Sequence, residues 1–597
     1  MKISVKSNMP CDIQPEKAVF TPRVELLRFV MKLDFTFDAN GDEYILFPAS
    51  VYDGNRFAML DKKVFAPEDM FPDMPLTVFP TAPHLNRDGS GDIRIKTGNV
   101  SVPCCGVFSR SRKKAFLVFT TQGIENGLGN AEKGQNNFGM SYTKGCFTIF
   151  YPGTGDFTFP VGSRVEIPYK LLEFDCESIT AFYRVFFENR KIMEMPCERP
   201  LAPDWNEIFS VQEDKYNRMN WYENLGCYGC SILGGDPRCW QPGWTGGAIS
   251  SYPLLKLGGR ETKERAIKTL EFLFKTQRKS GFFTSMIKND DSSHDDFFGY
   301  KSDAKQHVHL IRKSADVLYY LFKHFLLMQE VPPSFEEGTK KLADAFVKLW
   351  DTYGQFGQFV DSNTGKLLAG NSASGGIAPA GLAAAYRYFQ NTDYLRVAEA
   401  SARMMYERDI CAGVTGGGPG DAIQSPDSES AFALLESYVA LYEETKNPDY
   451  LKMAQDTAHL CSSWVVAYNF RFPSKSEFAR LGIRSVGTVF ANVKNKHSAP
   501  GICTYSGECL RRLWKYTGDA LYMELLKDIY LAIPQCMSTE ERPVYNHSVQ
   551  PPTASPPGFA CERVNTSDWE GYGMVGNIWG LSTWPEVSLM LTIAEIV

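Results

Sequence analysis

The feature that most constrains this chain is a change of hydrophobic period. Up to about residue 195 apolar residues alternate with polar ones, and after about residue 200 they recur at helical spacing. A two-residue period buries one face of a strand; a 3.6-residue period buries one stripe of a helix. Leu33, Phe35 and Phe37 alternate with Asp34, Thr36 and Asp38, and Asn40-Gly41 follows, a pair suited to the positive φ angles of a hairpin turn. Further β-branched or aromatic runs lie at 115–121, 146–151, 157–159, 164–167 and 179–187, punctuated by Gly and Pro. Many short strands with turn signals predict an antiparallel sandwich over 1–195.

The remainder, 196–597, predicts twelve helices at about 204–222, 246–257, 260–277, 307–329, 335–352, 373–390, 392–409, 427–444, 448–467, 498–516, 519–534 and 578–595. Short links such as Leu257-Gly258-Gly259, Asn391-Thr392-Asp393 and Lys446-Asn447-Pro448-Asp449 read as αα-hairpin turns, and they alternate with long links rich in Gly, Trp, His and Asp. Helix starts resembling Asn391-Thr-Asp-Tyr-Leu recur at Asn447 and Thr517, a loose repeat. Six hairpins, first helices inside and second helices outside, close into a toroid in which 204–222 pairs with 578–595. An open α-solenoid is the rival, but it needs no long loops confined to one side. The expected fold class is α+β multidomain: an N-terminal antiparallel β-sandwich followed by an (α/α)6 toroid of about twelve helices.

Lys+Arg 63 against Asp+Glu 69 leaves a net charge of −6, which excludes a polybasic nucleic-acid binder. No stretch approaches the roughly 18 apolar residues of a membrane helix. The first residues lack the apolar core of a secretory signal. Fifteen cysteines leave at least one thiol, which fits a reducing cytoplasm; a leader trimmed from the chain would move it to the periplasm. A homodimer is compatible with all of this.

Long links before inner helices emerge at one end of a toroid, so the chemistry is expected there. These links hold His294, His307 and His497, with His309 a turn into a helix, and Trp240, Trp244, Trp569 and Trp579. Their carboxylates include Asp421, Asp427, Glu429, Glu562, Asp568 and Glu570. Indole stacks on the apolar face of a sugar while its hydroxyls need Asp, Glu, His and Arg, so the mixture suits a glycan cleft. The bland alternative is that the indoles pack between helices and the histidines cap helix ends. Cys227-x-x-Cys230 is only half of a zinc pattern, and His497, Cys503 and Cys509 add no matching half, so neither a metal nor a cofactor is expected. Gly416-Gly417-Gly418-Pro-Gly420 lacks the Lys-Ser/Thr of a phosphate loop and reads as a flexible rim loop.

The stretches Tyr52-Asp-Gly-Asn-Arg-Phe57, Gln241-Pro-Gly-Trp-Thr-Gly-Gly247, Lys496-His-Ser-Ala-Pro-Gly-Ile-Cys503 and Asn565-Thr-Ser-Asp-Trp-Glu-Gly571, set in this organisation, resemble the six-hairpin superfamily of glycoside hydrolases, polysaccharide lyases and sugar epimerases. The resemblance is nearest the uronic-acid-active gut-bacterial families, exo-β-glucuronidases and rhamnosyl-glucuronate lyases. It implies an enzyme acting on an oligosaccharide or polysaccharide, first as an exo-acting hydrolase removing a uronic-acid sugar.

Hydrolysis needs two carboxyl groups. Asp568 or Glu570, flanking Trp569, is the expected general acid, with Asp427 or Glu429 opposing it; Asp427 equally reads as a helix cap. The alternative is β-elimination at a uronate, served by His307, His309 and Arg312 with Lys496, His497 and Tyr505. Trp240, Gln241, Trp244, His294, Trp569 and Trp579 complete the expected binding set. A third reading is a glycan-binding protein without catalysis. The segments 52–57 or 123–139 are expected to reach the cleft rim.

Overall fold

The computed structural model describes residues 2–61, 69–125, 128–130, 134–230, 239–288, 307–547, 549–567, 574–578 and 583–597. Two antiparallel sheets build the N-terminal part. The five-stranded sheet runs, in spatial order, Ser4–Ser7, Met31–Thr36, Cys146–Tyr151, Gly139–Thr143 and Asp92–Lys96. The six-stranded sheet runs Cys11–Ile13, Lys17–Phe20, Val165–Asp175, Lys114–Thr120, Cys104–Ser109 and Glu43–Leu46. Leu33 lies opposite Ile149 and Phe35 opposite Phe147, and these residues share one core with Phe20, Val107, Phe116 and Val118 of the other sheet.

Three strands of the six-stranded sheet, Glu43–Leu46, Cys104–Ser109 and Lys114–Thr120, are buried on both faces. Cys105, Val107, Phe116 and Val118 enter the core between the sheets, while Cys104, Phe108, Leu117 and Phe119 enter the core of the helical part. Strands buried on both faces lose their polar alternation, which is why 104–108 and 115–119 are nearly unbroken apolar runs. Helix α1 (Ile179–Asn189) covers the second face, where the sequence reading expects a strand over 179–187. The helix wins because Ile179, Phe182, Tyr183, Phe186 and Phe187 are spaced three and four apart and Ser178 accepts from the Ala181 amide as N-cap. Phe182 stacks on Phe108 and Phe186 on Phe119, each with ring centres 6.4 Å apart.

The helices that follow are α2 (Trp205–Lys215), α3 (Gly247–Leu257), α4 (Arg260–Lys275), α5 (Ile311–Phe325), α6 (Pro333–Tyr353), α7 (Ala378–Phe389), α8 (Thr392–Met405), α9 (Ser428–Thr445), α10 (Pro448–Ser462), α11 (Glu477–Leu481), α12 (Cys509–Thr517), α13 (Ala520–Ala532) and α14 (Thr583–Glu595). Helices α3, α5, α7, α9 and α12 pack each on the next, and α14 packs on α3. Arg511 of α12 donates to the carbonyls of Glu595 and Ile596 at the end of α14, closing an inner ring. Helices α4, α6, α8, α10 and α13 back this ring, and α2 backs α14, so the two ends of the helical part are neighbours.

Two of the expected helix starts are strands instead. Val308–Leu310 is a strand paired with Phe359–Asp361, and α5 starts only at Ile311. Ser498–Ala499 pairs with Val489–Phe490, and α12 starts only at Cys509. Residues 503–506 instead satisfy partners around the ring interior: Arg312 reaches the Cys503 carbonyl, Thr504 the Trp244 carbonyl, Tyr505 Asp316 and Ser506 Glu595. Gly501, Gly507 and the small hydroxyl residues between them are weak helix formers, so these tertiary bonds prevail.

Lys215 of α2 and Glu586 of α14 form an ion pair at 2.6 Å with both side chains fully buried. Burial lowers the Lys215 ammonium and raises the Glu586 carboxyl to about 6. Removing one partner of such a pair strands the other charge, whereas replacing both with apolar groups is often neutral. Lys215→Met is therefore expected to lower unfolding free energy in urea by about 3–5 kcal/mol. Lys215→Met/Glu586→Leu is expected to recover most of that loss.

Candidate functional site

The long links lead into the N-terminal ends of inner helices, and there the structure gathers buried charge. Arg312, in the first turn of α5, is 1% exposed. Its guanidinium is ion-paired with Glu429 in the first turn of α9 and lies 3.6 Å from Asp316, one turn further along α5. Tyr505 donates its hydroxyl to Asp316 at 2.8 Å, and its ring lies 5.3 Å from the guanidinium. Trp244, in the link before α3, joins both carboxylates: its amide donates to Asp316 at 2.9 Å and its indole N–H to Glu429 at 3.2 Å.

The charges are set by these contacts. Burial opposes the Arg312 charge, but Tyr505, Asp316, Cys503 and Asp427 outweigh it and raise the group above its ordinary value. Burial raises the Asp316 carboxyl, against Arg312, Tyr505 and the Trp244 amide. Burial, with Asp316 beside it, raises the Tyr505 hydroxyl far above its usual range, so Tyr505 is a proton donor. Trp244 adopts φ 62 and His307 φ 76, left-handed values that large side chains adopt at a cost of about 1–3 kcal/mol each. The Trp244 turn is held from beneath: a Cβ on Gly243 would stand 2.1 Å from the Lys313 carbonyl oxygen.

Asp427 is the N-cap of α9. Its carboxylate accepts from the Ser430 amide at 2.6 Å and the Gly418 amide at 2.9 Å. Burial nevertheless raises it to about 6. The Gly416–Gly418 stretch, expected as a flexible rim loop, is buried against this cap, and a Cβ on Gly418 would stand 2.5 Å from Asp427 Oδ1. Beside it, Ser428 donates its amide to the Ala491 carbonyl, so segment 491–498 borders the first turn of α9.

Chain from the β part reaches the same end. Tyr52 is enclosed, its hydroxyl 2.9 Å from Ser463 Oγ and its ring stacked on Trp464 at 4.5 Å. Further along, Thr77 donates its amide to Gln424 and its hydroxyl to the Ile423 carbonyl. Lys494 donates to Thr77 Oγ1 at 2.8 Å and Lys496 to the Thr81 carbonyl at 2.9 Å. Burial lowers both ammonium groups to about 7. Thus 77–81 borders the links, as does Tyr52, which meets Ser463 and Trp464 at the start of the link before α12. The other expected segment meets Arg471, whose amide donates to Gln122 and whose guanidinium pairs with Glu125.

Of the remaining residues expected at the site, several sit in the core. Trp240 is fully buried edge-on to Phe272, and Gln241 is 6% exposed and bonded to Thr245. His309 is enclosed, bonded to Ser314 and stacked on Phe282. His497 is 4% exposed against the Ser498 carbonyl. Burial drives both imidazoles well below their ordinary value. Trp244 and His307 are half-buried, and Asp421 is exposed. His294, Asp568, Trp569, Glu570 and Trp579 lie outside the described residues. Asp316 is the member of this buried cluster that sequence reading missed; its place four residues after Arg312, on the same helix face, was the available signal.

No family model matches this chain, and no curated protein matches it. Among solved structures it is similar to a polysaccharide lyase at 11% identity, covering 98% of this chain and 88% of that one, with TM-score 0.45. It is similar to a D-mannose isomerase at 11% identity, covering 66% and 98%, with TM-score 0.43. It is also similar to the cellobiose 2-epimerase of Bacillus thermoamylovorans at 11% identity, covering 66% and 99%, with TM-score 0.43.

Asp427 supplies a pH test. Its folded value, about 6, lies above the ordinary 3.8, so the proton it holds in the folded state stabilises the chain at low pH. That contribution is fully present below about pH 4 and is lost as pH rises through about 6. Urea unfolding is expected to show the stability of the wild-type chain relative to Asp427→Asn declining across this window and level above it.

Proposed function

We propose that this chain is a glycan-degrading hydrolase, exo-acting on a terminal uronic-acid sugar, with Glu429 as one of its two catalytic carboxylates. The observation that carries the proposal is the setting of Glu429: a carboxylate at the N-terminal end of an inner helix, ion-paired to buried Arg312 and bonded to the indole of half-buried Trp244. As the ionised partner of Arg312 it can take a proton from water, and Trp244 offers a sugar an apolar face next to it. Asp316, whose two oxygens accept from the Tyr505 hydroxyl and the Trp244 amide, acts as a positioning residue that holds Arg312, Tyr505 and Trp244.

Asp427 is committed to its cap, so the opposing acid comes from another loop. Asp568 or Glu570 is the choice, since the chain leading to them abuts segment 491–498: Val564 donates its amide to the Ser498 carbonyl and Ser567 lies 3.5 Å from the Lys496 carbonyl. Arg563, half-buried in the same stretch, suits the uronate carboxylate. Elimination is the weaker reading, because Tyr505 holds its proton and burial, which holds the His309 and His497 imidazoles well below their ordinary value, makes both weak bases.

Incubation with a panel of uronic-acid oligosaccharides separates the readings. A mass gain of water without new absorbance supports hydrolysis; a conjugated, absorbing product without water supports elimination. Glu429→Gln is expected to lower kcat by about 10²–10⁴-fold while circular dichroism stays unchanged. Unaltered turnover in a folded Glu429→Gln variant would remove Glu429 from the mechanism.

A further inference from the structure

Two pairs of thiols face each other across antiparallel backbone. Cys230 and Cys239 exchange both amide hydrogen bonds, at 2.7 and 3.2 Å. Flanking the Met537–Ala560 bridge, the Cys561 amide donates to the Cys536 carbonyl at 3.0 Å, which sets that pair opposite as well. Directly opposed, hydrogen-bonded partners have Cα atoms about 5.5 Å apart, inside the about 4.4–6.8 Å span of a disulfide. All four are thiols.

The pairs differ in access and in surroundings. Cys536 and Cys561 are 1% and 0% exposed, and Cys230 is 6% exposed, whereas Cys239 is only half-buried. The Cys230 sulfur lies 3.1 Å from the Thr245 carbonyl oxygen and 3.4 Å from its hydroxyl, next in sequence to Trp244. Cys239 immediately precedes Trp240, on a strand paired with Ile287–Lys288.

We propose that Cys230 and Cys239 are a redox-modification site that a low-molecular-weight disulfide converts to a cystine, fixing the Cys239–Trp240 strand to the Cys230 backbone beside the Trp244 link. Cys239, the more exposed residue of the pair, gives its proton to solvent, and its thiolate attacks one sulfur of the small disulfide. That S–S bond breaks, a mixed disulfide forms on Cys239, and the first small thiolate leaves and takes up a proton. Cys230 then gives up its proton and attacks the Cys239 sulfur; the mixed disulfide breaks and a second small thiol departs. The protein loses two electrons and two protons, and the small disulfide is reduced to two thiols. Cys230 is equipped to resolve the intermediate: contact with Cys239 lowers its thiol against the opposing effect of burial, aided by Thr245 and Lys313. Cys536 and Cys561 expose no sulfur to begin the exchange.

The folded full-length chain, treated with oxidised glutathione, quenched in acid, unfolded with iodoacetamide and digested without reductant, gives the test by peptide mass mapping. The expected result is a peptide pair joined through Cys230 and Cys239 and lighter by two hydrogens. Cys230→Ser is expected to retain one glutathione on Cys239, and Cys239→Ser to show neither link nor adduct at Cys230. Alkylated Cys230 and Cys239 after prolonged exposure, an unresolved adduct on wild-type Cys239, or a Cys536–Cys561 link without a Cys230–Cys239 link would each overturn the proposal. The wild-type map decides between these outcomes even where a variant fails to fold.

Discussion

Everything at the candidate site depends on one buried guanidinium. A cation 1% exposed, as Arg312 is, costs several kcal/mol in lost hydration unless its surroundings replace water. Here Glu429 and Asp316 supply opposing charge, the Cys503 carbonyl accepts a hydrogen bond and the Tyr505 ring faces the cation, and they come from three different stretches of chain. Satisfying Arg312 therefore fixes the relative positions of α5, α9 and the segment before α12. The same requirement orients Trp244, whose amide and indole N–H bond to the two carboxylates that Arg312 holds. A single need for charge compensation thus builds a carboxylate beside an aromatic face.

The β part contributes by where its chain goes rather than by its own core. With three strands of its six-stranded sheet buried on both faces, α1 and the aromatic rows of that sheet lock it to the helical part. Tyr44 and Tyr183 both donate to the Gly413 carbonyl, and Arg190, Lys191 and Arg199 converge on buried Asp528 of α13. So anchored, residues 77–81 are held against Gln424, Lys494 and Lys496. The links to the inner helices are supported from outside the ring as well as from within it.

Periodicity carried much of this into view. The short hairpin turns and the N-cap reading of Asp427 follow from local spacing, and the structure places these elements close to where spacing puts them. Local spacing is silent where tertiary partners prevail. Residues 179–187 have β-branched and aromatic content yet helical spacing, and the Ser178 cap decides for the helix. Residues 498–508 look continuous with α12, but Thr504 and Tyr505 bond across the ring instead. Trp240 and His309 have the composition of a sugar site and the burial of a core, a distinction that no sequence window contains. Cys239, opposite Cys230, was likewise invisible beside the Cys227-x-x-Cys230 spacing that drew attention to a metal.

The most direct test of the central claim is a crystal structure of the full chain with a non-hydrolysable, thio-linked uronic-acid disaccharide. The account predicts the terminal sugar against Trp244, its anomeric carbon facing the Glu429 carboxylate, with the Arg312 ion pair intact beneath. A sugar bound elsewhere, for instance in the groove between Gln122, Lys170 and Arg471, with Glu429 still closed off by its partners, would contradict it.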